Sequence, residues 1–280
     1  MKPDDFEFLS QTLKTRSGLM LSSDKIYLLE SRLTPLARKQ GMETLDQLVQ
    51  TLRTRRDETL LRAVTEAMTT NESFFFRDTT PFEHFEKVVL PGLRIRRDAE
   101  KKIRIWSAAA STGQEPYSLG MILKEQGPKL AGWTFDILGT DLSNDVLARA
   151  KAGRYSQFEV QRGLPIKLLI KYFTQQGDYW ILKDEIRNMV SYRAFNLLDN
   201  FAGLGRFDVV YCRNVLIYFD QPTKTKVLEK LHALMPPDGY LFLGAAETVL
   251  GITDRFRPVP GYRGMYVPAE ADPALMAAVG

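Results

Sequence analysis

The chain has 280 residues and a mass of 31.9 kDa, enough for one large domain or two modest ones. Hydrophobic residues make up 44% and charged residues 26%, which excludes a wholly disordered chain, and no apolar run is long enough to read as a membrane span. A single cysteine, Cys212, excludes an internal disulfide and a cysteine-based zinc site, while a net charge of +4 and a pI of about 9.0 admit nucleic acid, an anionic membrane or an acidic protein as partner. The opening residues Met1 to Asp5 contain no apolar signal run, so a cytoplasmic protein is the expectation.

Residues 1–68 read as all-helical. Phe6, Leu9 and Leu13 recur at helical spacing behind Asp4 and Asp5, which can cap and charge a first turn. Ser22, Ser23 and Asp24 offer a second start, followed by the stripe Ile26, Leu29, Leu33 and Leu36. Gly41 punctuates, Thr44 can cap, and Leu45, Leu48 and Leu52 continue. A fourth helix spans Asp57 to Met68 around Leu60, Leu61 and Val64. Charge is uneven here: from Arg32 to Arg56 there are six positives (Arg32, Arg38, Lys39, Arg53, Arg55, Arg56) and two negatives. That run is either a solvated face or a docking surface for an acidic partner.

Thr80, Pro81 and Glu83 form a capping-box signature for the next helix, with Phe82, Phe85, Val88 and Val89 on its apolar side. From Lys102 the pattern changes. Strands at Ile103–Trp106, Phe135–Gly139, Phe207–Tyr211 and Tyr240–Leu243 alternate with helices at Pro116–Glu125, Asn144–Ala150 and Lys224–Leu234. Alternation of this kind predicts a parallel, doubly wound sheet. Residues 153–195 interrupt it with two nearby strands, Tyr179–Leu182 and Met189–Arg193, which predict a small antiparallel appendage. The stretch from Pro268 to Gly280 is rich in small residues and reads as a frayed tail.

Several segments can carry chemistry. The first strand runs into Trp106-Ser107-Ala108-Ala109-Ala110-Ser111-Thr112-Gly113-Gln114-Glu115-Pro116, where small residues let a ligand approach the backbone. No full G-x-G-x-x-G is present, and Glu115 in the first helical turn opposes a pyrophosphate. A ligand with a cationic group and a free ribose suits this turn better, and S-adenosylmethionine has both. Asp141 ends the second strand, where an acid can accept from two ribose hydroxyls or cap the next helix. Asn196 and Leu197 can frame an adenine edge and face, and Arg213 and Asn214 directly follow the Phe207 strand. Phe74, Phe75 and Phe76 before Arg77 read either as part of a site or as a wedge between domains.

Together these stretches resemble the CheR family, the chemotaxis receptor methyltransferases. The matching pieces are T-T-N-x-S/T-x-F-F-R at Thr69–Arg77, W-S-A-A-A-S-T-G-x-E-P-Y-S at Trp106–Ser118, Thr140-Asp141, Asn196-Leu197, and C-R-N-V-x-I-Y-F at Cys212–Phe219. They cover roughly residues 1–267 in the family's order. The resemblance implies a Rossmann-like α/β methyltransferase domain at 91–267, with an antiparallel β subdomain at 153–195. Ahead of it come an all-helical receptor-recognition domain at 1–68 and a linker at 69–90 that contributes to the cofactor site; a flexible tail follows at 268–280.

The activity implied is transfer of methyl from S-adenosylmethionine to glutamate side chains of chemoreceptor cytoplasmic helices, in chemotactic adaptation. The cofactor contacts carried over are Asn71, Ser73, Arg77, Glu115, Asp141, Asn196, Leu197, Arg213 and Asn214, and Arg77 and Tyr218 match the methyl-transfer site. The basic residues from Arg32 to Arg56 thereby acquire glutamate-rich receptor helices as a partner. The further expectations are a monomer, recruited to membrane-bound receptor arrays without membrane insertion, with no metal and no nucleic-acid partner. A short loop near Thr174–Asp178, with Gly177 its one glycine, resembles members that do without a tether to a receptor's C-terminal pentapeptide. The alternative is a methyltransferase acting on another protein or on nucleic acid.

Overall fold

A computed structural model describes residues 1–55 and 57–272. These divide into a helical unit, Met1–Thr70 with Tyr218–Thr223, and an α/β unit, Asn71–Ile217 with the chain from Lys224 onward.

The helical unit contains α1 (Pro3–Ser17), α2 (Ile26–Lys39), α3 (Leu45–Arg55) and α4 (Glu58–Met68). Its core is assembled from the predicted stripes: Leu9 and Leu13, Leu29 and Leu33, Leu48 and Leu52, Leu60, Val64 and Met68. At the end of the α2 stripe Ala37 is fully buried alongside Leu29 and Leu33, and Leu36 is only partly buried. Asp4 and Asp5 charge the first turn of α1 without capping it. Thr44 Oγ1 accepts from Gln47 N at 3.2 Å and Gln47 Oε1 accepts from Thr44 N at 3.4 Å, a reciprocal cap for α3. Asp57 Oδ1 caps α4 through Thr59 N and Leu60 N at 2.8 and 3.1 Å. The short Tyr218–Thr223 segment joins this unit through Met20 N donating to Tyr218 O at 2.9 Å and Lys14 Nζ against Asp220 at 2.9 Å.

The α/β unit opens with α5 (Thr80–His84), a π turn at Phe85–Val89 and α6 (Leu90–Arg96) in direct succession. The expected capping box is absent: Thr79 occupies the N-cap with φ 50° and gives no side-chain bond. Strands β1 (Lys102–Ala108), β2 (Thr134–Asp141), β3 (Arg154–Ser156), β4 (Phe173–Gln176), β5 (Tyr179–Leu182), β6 (Val190–Ala194), β7 (Val209–Cys212), β8 (Tyr240–Leu243), β9 (Phe256–Pro258) and β10 (Met265–Pro268) follow. Interspersed are α7 (Gln114–Glu125), α8 (Asn144–Ala152), α9 (Gln157–Gln161), α10 (Ile166–Tyr172), α11 (Asp184–Arg187) and α12 (Gln221–Ala233).

The main sheet has the order β6-β2-β1-β7-β8-β10-β9, with β6, β2, β1, β7 and β8 parallel and the last two strands antiparallel. Its interior is near-continuously apolar, as a sheet covered on both faces requires. The second sheet, β3-β5-β4, is antiparallel.

Four expectations are corrected. The strand predicted at Met189–Arg193 is β6, and it pairs in parallel with β2 rather than joining the appendage. A single helical turn, α11, separates it from β5, too short to show a 3.6-residue period in the sequence. The appendage instead takes β3 and β4, whose short, polar sequences carry little strand signal. Strands β9 and β10 were not anticipated, because Pro258, Pro260, Gly261 and Gly264 mask them; both lie at the antiparallel edge, where proline is tolerated. Finally, Pro268 to Ala271 is not frayed: Ala269 N donates to Arg255 O at 2.8 Å and Ala271 is buried. The rest of the predicted tail, 273–280, lies outside the described residues.

Candidate active site

From β1 the chain builds outward through β2 to β6 on one side and through β7 to β8 on the other. The crevice at the carboxyl ends of β1 and β7 is therefore the switch point where doubly wound sheets bind ligands. Register brings the ends level: Ala108 opposes Thr140 and Cys212, Asp141 opposes Ala194, and Cys212 opposes Leu243. The loops after β1, β2, β6, β7 and β8 thus share one edge, and all the segments singled out in this part of the sequence fall there.

The loop after β1 is built close to its neighbours. Ala109 and Ser111 have φ 62° and 51°, and Gly113 has φ 92°. A Cβ on Gly113 would come within 2.6 Å of Tyr192 Oη, and one on Gly139 within 2.6 Å of Tyr192 Cε1. Glu115, in the first turn of α7, accepts from Ser107 Oγ at 2.8 Å and from Arg213 Nη1 at 2.9 Å. A carboxylate has about four acceptor positions, so each Glu115 oxygen keeps acceptor capacity beyond its one bond. Asp141 is fixed by two backbone donors, Ser111 N at 2.9 Å and Ser143 N at 3.0 Å. Asn196 Oδ1 accepts from Leu198 N at 3.0 Å, and Leu197 beside it is buried. Lys230 Nζ closes this turn by donating to Leu198 O at 2.7 Å and Asp199 O at 2.8 Å.

Arg213 is the centre of the edge. Its side chain is 1% exposed, and it bonds Glu115, Asp78 Oδ2 at 2.7 Å and Arg77 O at 2.9 Å. Burial of a guanidinium demands such pairing. The Thr69–Arg77 stretch is thereby tied to the sheet edge from Asn71 on. Asn71 O accepts from Ser111 Oγ at 2.7 Å, and Phe76 N donates to Ser118 Oγ at 3.0 Å. Ser73 is half-buried, and Arg77 Nη1 turns back to Glu72 O at 2.9 Å. The three phenylalanines are not a simple wedge. Phe75 enters the α/β core against Tyr155 and Phe173, Phe76 packs on Phe82, and Phe74 lies under Arg162 and Arg77. Arg162 also bonds Glu72 at 2.7 Å and holds that carboxyl below its usual range.

Glu247 is a residue that sequence reasoning missed. It follows β8 and its carboxylate accepts from Gly244 N, Asn214 N, Val215 N and Ile217 N at 2.7, 2.8, 2.9 and 3.2 Å. Asn214 has φ 58°, an uncommon conformation for a residue with a side chain. Among the described residues, six of the seven such non-glycine positions, Phe76, Asp78, Thr79, Ala109, Ser111 and Asn214, lie in the segments around this edge, which is where functional sites store backbone strain.

The structure does not gather all the predicted residues into one unit. Asn71, Ser73, Arg77, Glu115, Asp141, Asn196, Leu197, Arg213 and Asn214 belong to the α/β unit, whereas Tyr218 and the basic run belong to the helical unit. Of that run, Arg32 bonds Met68 O, Thr69 O and Thr70 Oγ1 at 2.7, 3.2 and 3.1 Å. Arg53 bonds Asp4 O at 2.7 Å and Asp5 at 3.3 Å. Arg38, Lys39 and Arg55 are exposed, and Arg56 lies outside the described residues. Cys212 is fully buried, and burial pushes its thiol well up, so it is no nucleophile.

These groups fit S-adenosylmethionine. The edge is acid-rich, with Glu115 and Asp141 at strand and helix ends where a pyrophosphate would be repelled. The small-residue loop leaves backbone within reach of a ligand. No helix among the described residues is long and apolar enough to cross a membrane.

Comparison with known proteins agrees with this architecture. The family model for the all-alpha domain of CheR methyltransferases matches residues 4–69, and that for their SAM binding domain matches residues 71–265. Chemotaxis protein methyltransferase 1 of Pseudomonas aeruginosa is 45% identical over 261 residues, 91% of this chain and 94% of the relative. Chemotaxis protein methyltransferase Cher2 of Pseudomonas putida is 42% identical over 259 residues, again 91% and 94%. The chemotaxis protein methyltransferase of Vibrio parahaemolyticus is 38% identical over 258 residues, 91% and 93%. With both domains matched in order along nearly its whole length, the chain belongs to the CheR family of S-adenosylmethionine-dependent chemotaxis methyltransferases.

Proposed function

We propose that this chain methylates glutamate side chains on the cytoplasmic helices of chemoreceptors, giving glutamate methyl esters. The observation that carries the reading is how the ionisable groups of the sheet edge are used. Glu115, Asp141, Arg213 and Asp78 are bonded to one another or to backbone, and the one thiol is buried and held protonated. An amine or hydroxyl nucleophile needs a base to take its proton, whereas a glutamate, with an ordinary pKa of about 4.3, is already ionised at neutral pH.

When bound, S-adenosylmethionine supplies a methyl group made electrophilic by its sulfonium. In this reading Glu115 directs its carboxylate to the cofactor's ammonium, Asp141 to the ribose hydroxyls, and Asn196 and Leu197 frame the adenine, with Asn71, Ser73 and Asn214 completing the contacts. Arg213 is the remaining contact of the set: it holds Glu115, Asp78 and the Arg77 carbonyl in place through Nη1 and Nη2, and its buried Nε makes no hydrogen bond among the described residues. Arg77 orients the cofactor or the substrate without pairing tightly with the reacting carboxylate, Tyr218 donates a hydrogen bond, and the chain's work is alignment and exclusion of water. The exposed cations Arg38, Lys39 and Arg55 attract the glutamate-rich receptor helices. The β4–β5 turn is only Gly177-Asp178, which supports recognition without a pentapeptide tether.

The test is transfer of labelled methyl to receptor cytoplasmic fragments, with and without their C-terminal tails, followed by alkali. Ester label is released as methanol, and truncation of the tail leaves the rate unchanged. Base-stable label, or label on RNA, overturns the reading. In single turnover Arg77→Ala and Tyr218→Phe should each be slowed at least about tenfold; wild-type rates in both would remove them from the site.

A further inference from the structure

We propose that Glu247 is a positioning residue for this reaction, setting the conformation of the Arg213–Ile217 segment through a carboxylate that gathers its backbone N–H groups. The inference rests on the placement of the cofactor site at the carboxyl edge of β7.

Irregular backbone just past a strand has no ladder partner for its N–H groups, and buried donors must find one. Asn214 N, Val215 N and Ile217 N find theirs on a single side chain from the next strand's loop, at 2.8, 2.9 and 3.2 Å. The carboxylate is turned back toward the edge by a tight turn in which Glu247 N donates to Gly244 O at 2.9 Å, and Gly244 N supplies the fourth donor. Glu247 is 9% exposed; its bond from Gly244 N is buried and those from Asn214, Val215 and Ile217 are partly buried, where charge-assisted bonds count for more than in open water. The carboxylate also offsets the left-handed conformation at Asn214, since it receives the very N–H that this conformation presents.

A second, independent feature marks the same junction. A Cβ on Gly244 would lie 2.7 Å from Asn214 Nδ2, 2.8 Å from Glu247 Oε2 and 2.9 Å from Asn214 N. The two loops are packed so closely that even one methyl group would displace them. The segment held this way begins at Arg213 and Asn214 and ends immediately before Tyr218. A carboxylate that accepts from four backbone donors has little left to offer a ligand, so Glu247 acts through the segment it holds.

The test compares wild-type protein with Glu247→Gln, Glu247→Asp and Asn214→Ala, each full length. Binding of S-adenosylhomocysteine is followed by calorimetry, single-turnover methylation by label, and amide exchange of residues 213–217 by mass spectrometry. Glu247→Gln keeps the shape but turns an NH2 group toward backbone donors. It should weaken cofactor-product binding at least about tenfold, slow methyl transfer and accelerate exchange of the segment. Glu247→Asp keeps the charge with shorter reach and should recover part of each loss, a rescue that lost bulk stability alone does not produce. Wild-type binding and exchange in folded Glu247→Gln overturn the proposal. If that variant does not fold, unprotected Asn214, Val215 and Ile217 amides in the wild type overturn it equally. Asn214→Ala separates the two levels: unchanged binding there removes Asn214 from the cofactor site, while the Glu247 variants still decide the positioning role.

Discussion

Arg213 shows how much one side chain can organise. Its guanidinium spans Glu115, Asp78 and the Arg77 carbonyl, so it joins the end of β7 to the first turn of α7 and to the segment ahead of α5. A lysine would keep the charge but not the planar fork, and could serve one or two of these partners at best. Arg213→Lys should therefore lower stability by about 1–3 kcal/mol and weaken binding of S-adenosylhomocysteine about tenfold. Thermal melts and calorimetry check both, and a lysine variant that binds like wild type would show the fork to be dispensable. At this scale the sequence was informative where a residue's meaning is local. Glu115 and Asp141 stand at a helix start and a strand end, positions that periodicity alone locates. Glu247 was not legible, because three of its four donors come from the loop after β7, thirty or more residues away, and nothing in the sequence states that β7 and β8 are neighbours.

Elements were legible in proportion to their length and to the purity of their pattern. The four helices of the first unit and strands β1, β2 and β8 announce themselves; three- and four-residue strands in polar or proline-rich contexts do not. Beyond assignment, element ends carry much of the stabilisation. Asp220 lies just ahead of α12, where Oδ1 accepts from Thr223 N at 3.0 Å and the other oxygen meets Lys14 at 2.9 Å. Those bonds, the Thr223 cap first and Lys14 second, lower its pKa from 3.8 to about 2. A depressed carboxylate stabilises the fold fully above its unfolded pKa of about 3.9, and that contribution is lost as pH falls through the folded value. Asp220→Asn, which leaves an acceptor but no charge, should melt below wild type by the equivalent of about 1 kcal/mol at pH 6–7. Melts from pH 7 down to pH 2 should show the difference shrinking between about pH 4 and pH 2. A gap that stays constant across that range would assign the effect to something other than the ionised cap.

For the molecule as a whole, the early signal was a net charge of +4, which by itself admits several kinds of partner. The structure divides the basic run by what each cation already holds. Arg32 is committed to the end of α4 and Arg53 to the start of α1, while Arg38, Lys39 and Arg55 face solvent. Two behaviours should therefore separate within one run of sequence. Arg32→Ala should act on folding, because it leaves the Met68 and Thr69 carbonyls and the Thr70 hydroxyl without their shared donor; a loss of about 1–3 kcal/mol in a denaturant titration is expected. Replacing Arg38 and Lys39 by glutamine should lower the melting temperature by no more than about 2–4 °C, since both are exposed and their main contribution to stability is to the C-terminal end of α2. If these cations draw in a glutamate-rich helix, the same double variant raises KM for the receptor fragment several-fold and leaves kcat unchanged, because only encounter and docking are altered. The KM gap should close as salt is raised, since the Debye length falls from about 10 Å at 0.1 M to about 3 Å at 1 M and screens exposed charges. Steady-state methylation of the fragment across that salt range decides the matter. Equal KM values for wild type and variant at low salt would leave Arg38 and Lys39 as an ordinary solvated face.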